Sequence, residues 1–255
     1  MPEYGIPIIF FFIAFFYASV GFGGGSSYLA LLSLFLTEFQ EIRTIGLFLN
    51  LIVVSIGTFM FIWNDVFKWR YFWPFLLFSM PLSFLGAQLQ LSEKMFFLVL
   101  GCALLGASFF IVVQLLQQIK TQRPLKTYKK IIIGGGIGLL SGLSGIGGGI
   151  FLSPTLNLVG WKDARIIAAL ASIFIFCNSL AGLGGLIASN TFSLNMSLTL
   201  PLIIAVATGG YLGSFTTNKK INTRTIKLFT AILIALVGLR LVFLYGWELY
   251  LNGHI

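Results

Sequence analysis

Two glycine runs, Gly21-Phe-Gly-Gly-Gly25-Ser26-Ser27 and Gly145-Ile-Gly-Gly-Gly149-Ile150, interrupt apolar stretches half a chain apart. Glycine loses the most backbone freedom on entering a helix, and three in succession break one. A helix restarting after each break, near Gly25-Ser26 and Gly149-Ile150, leaves four backbone N–H groups without intrahelical partners. It also carries about half a positive charge from aligned peptide dipoles. In hydrocarbon those groups need a polar partner, and bare glycine lets a small anion reach them. Such breaks in matching places of two halves are the sequence pattern of a transporter's binding site.

The surrounding side chains favour an anion over a cation. No Lys, Arg, Asp or Glu falls in the central part of any predicted span, so a cation site or proton relay would lack its carboxylate. Neutral hydrogen-bonding groups remain. Asn50 and Ser172 follow Arg43 and Arg165 by the same interval and are expected as a matched pair facing the glycine tips. The bland alternative for any one of these residues is hydrogen bonding between helices. Asn178 lies further along the same helix as Ser172. Its neighbour Cys177 would suit a sulfur-containing substrate, against the ordinary role of cysteine as a small buried apolar residue. The expected substrate site is therefore Gly23, Gly24, Gly25, Ser26, Ser27 and Asn50 from the first half. The second half adds Ser144, Gly147, Gly148, Gly149, Ile150, Ser172, Cys177 and Asn178.

The elements holding these residues follow from composition. The chain of 255 residues is 58% hydrophobic and 9% charged, with a mean hydropathy of +0.99. A soluble chain carries about a quarter charged residues, so an all-α polytopic membrane protein is expected. The first twenty residues hold Glu3 and no Lys or Arg, which is not the pattern of a signal peptide. The two cysteines, Cys102 and Cys177, lie in apolar runs, and the one histidine is His254. Neither a disulfide framework nor a metal site nor any other cofactor is expected. Nor is an enzyme, since no embedded Asp pair, His-Glu metal motif or Ser-His pair occurs. The net charge of +9 is assigned to cytoplasmic loops rather than to nucleic-acid binding.

The halves overlay, with Gly23 on Gly147, Arg43 on Arg165, Pro74 on Pro201 and Gly86 on Gly213. The expected first repeat is 1–118, with a glycine-containing segment at 5–37 and spans at 43–63, 71–91 and 95–118. A basic cytoplasmic linker follows at 119–130. The second repeat is 131–255, with a segment at 131–160 and spans at 165–188, 195–216 and 226–246. If both glycine segments crossed the membrane, eight basic residues would fall on each face. If both are re-entrant hairpins, only Arg43, Lys94 and Arg240 fall on one face and the other 13 of the 16 on the opposite face. That bias is the positive-inside signal. An odd number of crossings per half then makes an inverted repeat, with both termini outside. Pro74, Pro154 and Pro201 read as helix-end or kink residues. The aromatics read as mostly lipid-facing, with Trp69, Trp73, Trp161 and Trp247 as interfacial anchors.

At these residues the chain resembles the sulfite exporter TauE/SafE family of membrane transporters. The hallmark is G-x-G-G-G in each half, with a proline five residues on. Gly145 to Gly149 followed by Pro154 fits, as does Gly21 to Gly25, although Ala30 replaces the proline there. The family's small Thr-Ser-like pair on the next helix appears as Ala171-Ser172, and as Leu49-Asn50 in the first half. The resemblance covers essentially the whole chain. It implies transport of a sulfur oxyanion or organosulfonate, such as sulfite, thiosulfate or sulfoacetate, through the cytoplasmic membrane of a bacterium. The expected partners are that anion, a coupling proton or Na⁺ and membrane lipid, with no nucleic acid and a homo-oligomer left open. An anion channel and a non-transporting membrane scaffold are the rival readings.

Overall fold

A computed structural model describes residues 5–19, 23–117, 124–216 and 223–252. Gly21, the linker residues Lys120 and Arg123, Lys219, Lys220, Glu3 and His254 lie outside the described residues, as does the side chain of Glu248. The first half comprises α1 (Gly5–Ser19), α2 (Gly25–Phe35), α3 (Phe39–Trp63), α4 (Trp69–Gln88) and α5 (Glu93–Leu116). The second comprises α6 (Thr127–Ser144), α7 (Gly149–Leu158), α8 (Ala164–Ala188), α9 (Met196–Thr216) and α10 (Thr223–Asn252). No strand occurs among the described residues.

Five helices, α3, α5, α8, α9 and α10, are long and apolar enough to cross a membrane. Helix α4 has 20 residues but is not among them; its run from Trp69 to Gln88 includes Arg70, two prolines and a glutamine. Helix starts follow local chemistry. Ser92 accepts from the Met95 N–H at the head of α5, and Asp163 accepts from the Arg165 and Ile166 N–H groups at the head of α8. Pro74, Pro154 and Pro201 are each the sixth residue of their helix, inside α4, α7 and α9 rather than at an end.

The interior is mainly apolar but holds polar side chains between the helices, while large apolar side chains also cover the outside. Ser79, Ser83, Asn50, Ser141, Asn178 and Ser179 are fully buried, while Phe59, Trp63, Phe109 and Phe243 are exposed. The expected lipid-facing role of the aromatics holds only in part. Tyr17, Tyr28, Phe10, Phe72 and Phe75 are buried, and Trp161 is folded beneath the start of α4 against Tyr71 and Phe75. Trp69, Trp73 and Trp247 are exposed.

Small residues set the helix pairing. Gly134, Gly138 and Gly142 of α6 lie against Phe75, Ser79 and Ser83 of α4, each four residues on, so the two helices run parallel. Their bare faces let the backbones touch, the small-xxx-small packing of membrane helices. Gly209 and Gly213 of α9 lie in the same way against Phe11 and Phe15 of α1. Each hairpin's first helix is thus clamped by the other half. Helices α3 and α8 run antiparallel: Thr44 meets Ser193, Leu47 meets Gly182 and Thr58 meets Ser172. So do α5 and α10, through Phe97 with Tyr245 and Ser108 with Ala231.

Each glycine segment folds back on itself. Lys130, at the start of α6, stands over the ring of Trp161, just beyond the end of α7, at 5.6 Å. A segment crossing the bundle would hold those residues at opposite ends. In the first half, Gly25 of α2 meets Asn50 and Leu29 meets Gly46, so α2 runs antiparallel to α3. With α1 parallel to α9, the arms α1 and α2 run in opposite senses. Their 15 and 11 residues make arms of about 22 and 16 Å, against about 27 and 15 Å for α6 and α7.

Candidate functional site

Helices α2 and α7 begin at Gly25 and Gly149, and both tips point into the bundle. The residues before them, Gly24 and Gly148, take the left-handed backbone, with φ of +88° and +83°. A side chain there would be strained, and would also meet Tyr28 at the first tip and Phe174 at the second. Having no side chain, neither N-cap residue can cap its own helix.

The two tips meet at Asn50, a fully buried residue in the middle of α3. The Gly25 N–H donates to its Oδ1 at 3.1 Å, capping α2 from another helix. Its Nδ2 donates to the Ile146 carbonyl at 2.8 Å, holding the second glycine loop. One amide therefore ties both breaks together. Between them lies a cavity of about 10 Å³, lined by Tyr17, Gly23, Gly24, Gly25, Ser26, Asn50, Ile146, Ile150 and Ile175. That is room for about one water molecule.

Four buried hydroxyls around the tips have no hydrogen-bond partner: Ser26, Tyr28, Ser141 and Ser179. Ser26 lines the cavity, Tyr28 stands beside Gly24, Ser141 beside Gly148 and Ser179 beside Gly147. Buried hydroxyls are rarely left unpaired, because each gives up its hydrogen bonds to water. Four of the ten buried, unpartnered side-chain polar atoms among the described residues thus stand at the tips.

Of the residues expected from sequence, Gly23, Gly24, Gly25, Ser26, Asn50 and Ile150 gather at the cavity, with Gly147 and Gly149 packed against Asn50 and Ile175. Ser144 accepts from the Ile146 N–H and so shapes the second loop. Ser27 is turned to the Tyr17 hydroxyl, with which it shares a hydrogen bond. Ser172 does not line the cavity; its hydroxyl pairs with Thr58 at 3.0 Å, between α3 and α8. Asn178 donates to the Phe174 carbonyl within its own helix, and its Oδ1 has no partner. Cys177 is half-buried, and both cysteines are free.

The residue that occupies Asn50's place in the second half is Ile175. It packs against Gly149 as Asn50 packs against Gly25. Helices α3 and α8 start at Phe39 and Ala164, which are 125 apart, and 50 + 125 gives 175. The Arg43–Arg165 pairing at 122 led to Ser172 because Arg43 is the fifth residue of α3 and Arg165 the second of α8.

Sequence reasoning also missed Tyr17, which borders the cavity, and Arg43. Arg43 was expected on one membrane face at the start of the span 43–63, but its side chain is buried at the head of α3. Its Nη2 donates to the carbonyls of Ala87 and Gly142, near the C-terminal ends of α4 and α6, and its Nε has no partner. A cation at two helix C-termini is favourably placed. Among the described residues no three His, Cys, Asp or Glu side chains cluster closely enough to hold a metal ion.

An all-helical bundle with five apolar candidate spans, and two broken helices meeting at a small buried cavity, defines a multi-pass membrane protein. The family described as sulfite exporter TauE/SafE matches residues 6–241, and the chain belongs to that family. It is 32% identical over 243 residues to the probable membrane transporter protein y4hK of Sinorhizobium fredii, covering 93% of this chain and 97% of the relative. It is 31% identical over 107 residues to the probable membrane transporter protein YunE of Bacillus subtilis, covering 42% of this chain and 38% of that one. No solved structure matches the chain. Membership of the family makes the protein a membrane transporter.

Proposed function

We propose that the protein is a secondary transporter moving a small sulfur oxyanion or organosulfonate, such as sulfite, thiosulfate or sulfoacetate, across the cytoplasmic membrane of a bacterium. The anion is held between the glycine tips, against the starts of α2 and α7 and the hydroxyls of Ser26 and Ser179. The observation that carries this reading is the buried junction at Asn50, with unpartnered hydroxyls on both sides of it. The family's description supports the substrate class.

Residues 1–118 and 131–255 form an inverted repeat of a hairpin plus three spans, joined by the basic linker 119–130. The antiparallel pairs α3/α8 and α5/α10 and the exchanged pairs α1/α9 and α6/α4 support that symmetry. Termini face outward and the basic ends inward. A cavity that admits one water is smaller than any of these anions, so the tips must part to accept one. This favours a carrier with alternating access over an open channel. A proton or Na⁺ gradient couples the movement.

The test is uptake into proteoliposomes of sulfite, thiosulfate, sulfoacetate and taurine, with and without imposed pH and Na⁺ gradients. Saturable uptake of one anion, lost in Gly24→Leu and Gly148→Leu while both variants stay folded, is the expected result. Normal flux in both variants would overturn the site. No uptake of any anion by folded, inserted protein would overturn the substrate class.

A further inference from the structure

A second cavity begins where the tip cavity ends. It lies between α5, α7 and α10, and its wall includes Tyr17, Gln114, Ile150, Pro154, Lys227 and Thr230. Tyr17 and Ile150 border the tip cavity as well. A wider cleft of about 560 Å³ between α1, α2 and α10, lined in part by Ser27, shares Tyr17, Ile226 and Thr230 with the second cavity and Tyr17 with the tip cavity. Tyr17 is therefore the partition common to all three spaces. Its hydroxyl is held by Ser27, one residue beyond the cavity-lining Ser26.

Lys227 lies in the first two turns of α10, half-buried, and among the described residues nothing pairs with its ammonium. Gln114, across the same cavity, has a buried side-chain oxygen without a partner. The end of α5 and the start of α10 lie at the end of the bundle that carries Lys130 and Lys162, since α5 runs into the linker before α6. At the opposite end Arg43 ties α3 to the carbonyls of α4 and α6. The molecule is thus latched at the Arg43 end, while the cavity beside Lys227 is about 10 Å³, room for about one water, and adjoins the wider cleft.

We infer that Lys227 is the anion's cationic contact on the basic side, and that the Tyr17–Ser27 pair is the door between it and the tip cavity. The inference rests on the transporter reading given above. A half-buried ammonium attracts an anion more strongly than a surface lysine, because less water screens it. The strand of neutral groups at the tips then takes over, so the charge need not follow the substrate inward.

The test uses the full chain with Cys102 and Cys177 replaced by serine, so that its first readout needs no transport. Thr230→Cys reports on the second cavity. A negatively charged methanethiosulfonate should modify it about tenfold faster than a positively charged one, as a difference of about 1.4 kcal/mol between the two reagents would give. Lys227→Gln should abolish that preference and Lys227→Arg should keep it. Equal rates with Lys227 present would overturn the role of Lys227. Ser26→Cys should be protected from the basic side with Tyr17 in place and become reactive with Tyr17→Ala; the same rate in both would overturn the door. In sided proteoliposomes Lys227→Gln should raise KM about tenfold from the basic side alone, and an equal rise from both sides would contradict the assignment. Failure of every anion to be transported, with the reagent preference intact, would overturn the substrate class and leave the anion-attracting cavity standing.

Discussion

The two glycine tips are built alike and finished differently. Each is a break followed by a helix start, with a left-handed glycine before it and a long helix packed alongside. At the first tip the neighbouring residue is Asn50, whose oxygen takes the Gly25 N–H and whose nitrogen reaches across to the second loop. At the second tip the neighbour is Ile175, which offers α7 nothing polar. Symmetry of backbone is thus combined with asymmetry of chemistry. The first tip is the organiser, capped by an amide that also reaches the second loop. The second has its helix start unpaired by any side chain at that place and a free hydroxyl, Ser179, nearby. The difference teaches that two similar helix breaks can be completed by unlike neighbours, one polar and one apolar.

The largest effect should come from the two helix-start glycines. A methyl group on Gly25 would meet the Asn50 amide and the backbone carbonyl of Ile146, whereas one on Gly149 would meet the mobile end of Ile175. Gly25→Ala should cut uptake by more than about a hundredfold and Gly149→Ala by less than about tenfold, the step between them reflecting a loss of about 1–3 kcal/mol when a buried hydrogen bond is broken. Equal losses would break the comparison. Asn50→Leu comes next. It strands the Gly25 N–H and the Ile146 carbonyl, and should lower stability by about 2–4 kcal/mol, read from unfolding in detergent. Unchanged stability would show that the amide does not organise the tips.

Ile175→Asn sharpens the comparison by making the second tip resemble the first. The added amide should cap α7 and raise stability by about 1 kcal/mol. Uptake KM should rise, because the N–H groups offered to the anion are now taken. A lower KM would reverse the roles of the tips. The smallest effect belongs to Ser172→Ala, which removes the hydrogen bonds to Thr58 and to the Val54 carbonyl, away from the cavity. About 0.6 kcal/mol of stability should be lost, with KM unchanged in the same uptake assay.

Much of the candidate site was legible because its chemistry is local. Glycines 23–25 and 147–149 break helices wherever they stand, and the helices restart at Gly25 and Gly149 as their spacing predicts. Asn50 stood out because an amide in an apolar run needs a partner. Its counterpart was misjudged because Ser172 matched Asn50 in polarity, while packing equivalence is decided by which residue touches the glycine. The aromatic residues were hard to place for a related reason. Tyr17 and Tyr28 have the same composition signature as a lipid-facing tyrosine, and only the fold of α1 and α2 turns them inward. The Gly134-Gly138-Gly142 stripe was a readable signal that passed unused. Three small residues four apart predict a close helix contact, though not its partner.

Composition, hydropathy and glycine spacing by themselves determined an all-helical membrane chain and its broken segments, since each depends on residues near one another in sequence. Tertiary structure alone decided that Asn50 bridges both breaks, that Ile175 stands opposite it, that Arg43 is drawn into the protein and that Tyr17 separates the tips from Lys227. Those facts depend on contacts between helices far apart in the chain, where a shift of one residue turns a side chain by about 100° and sends it to another neighbour.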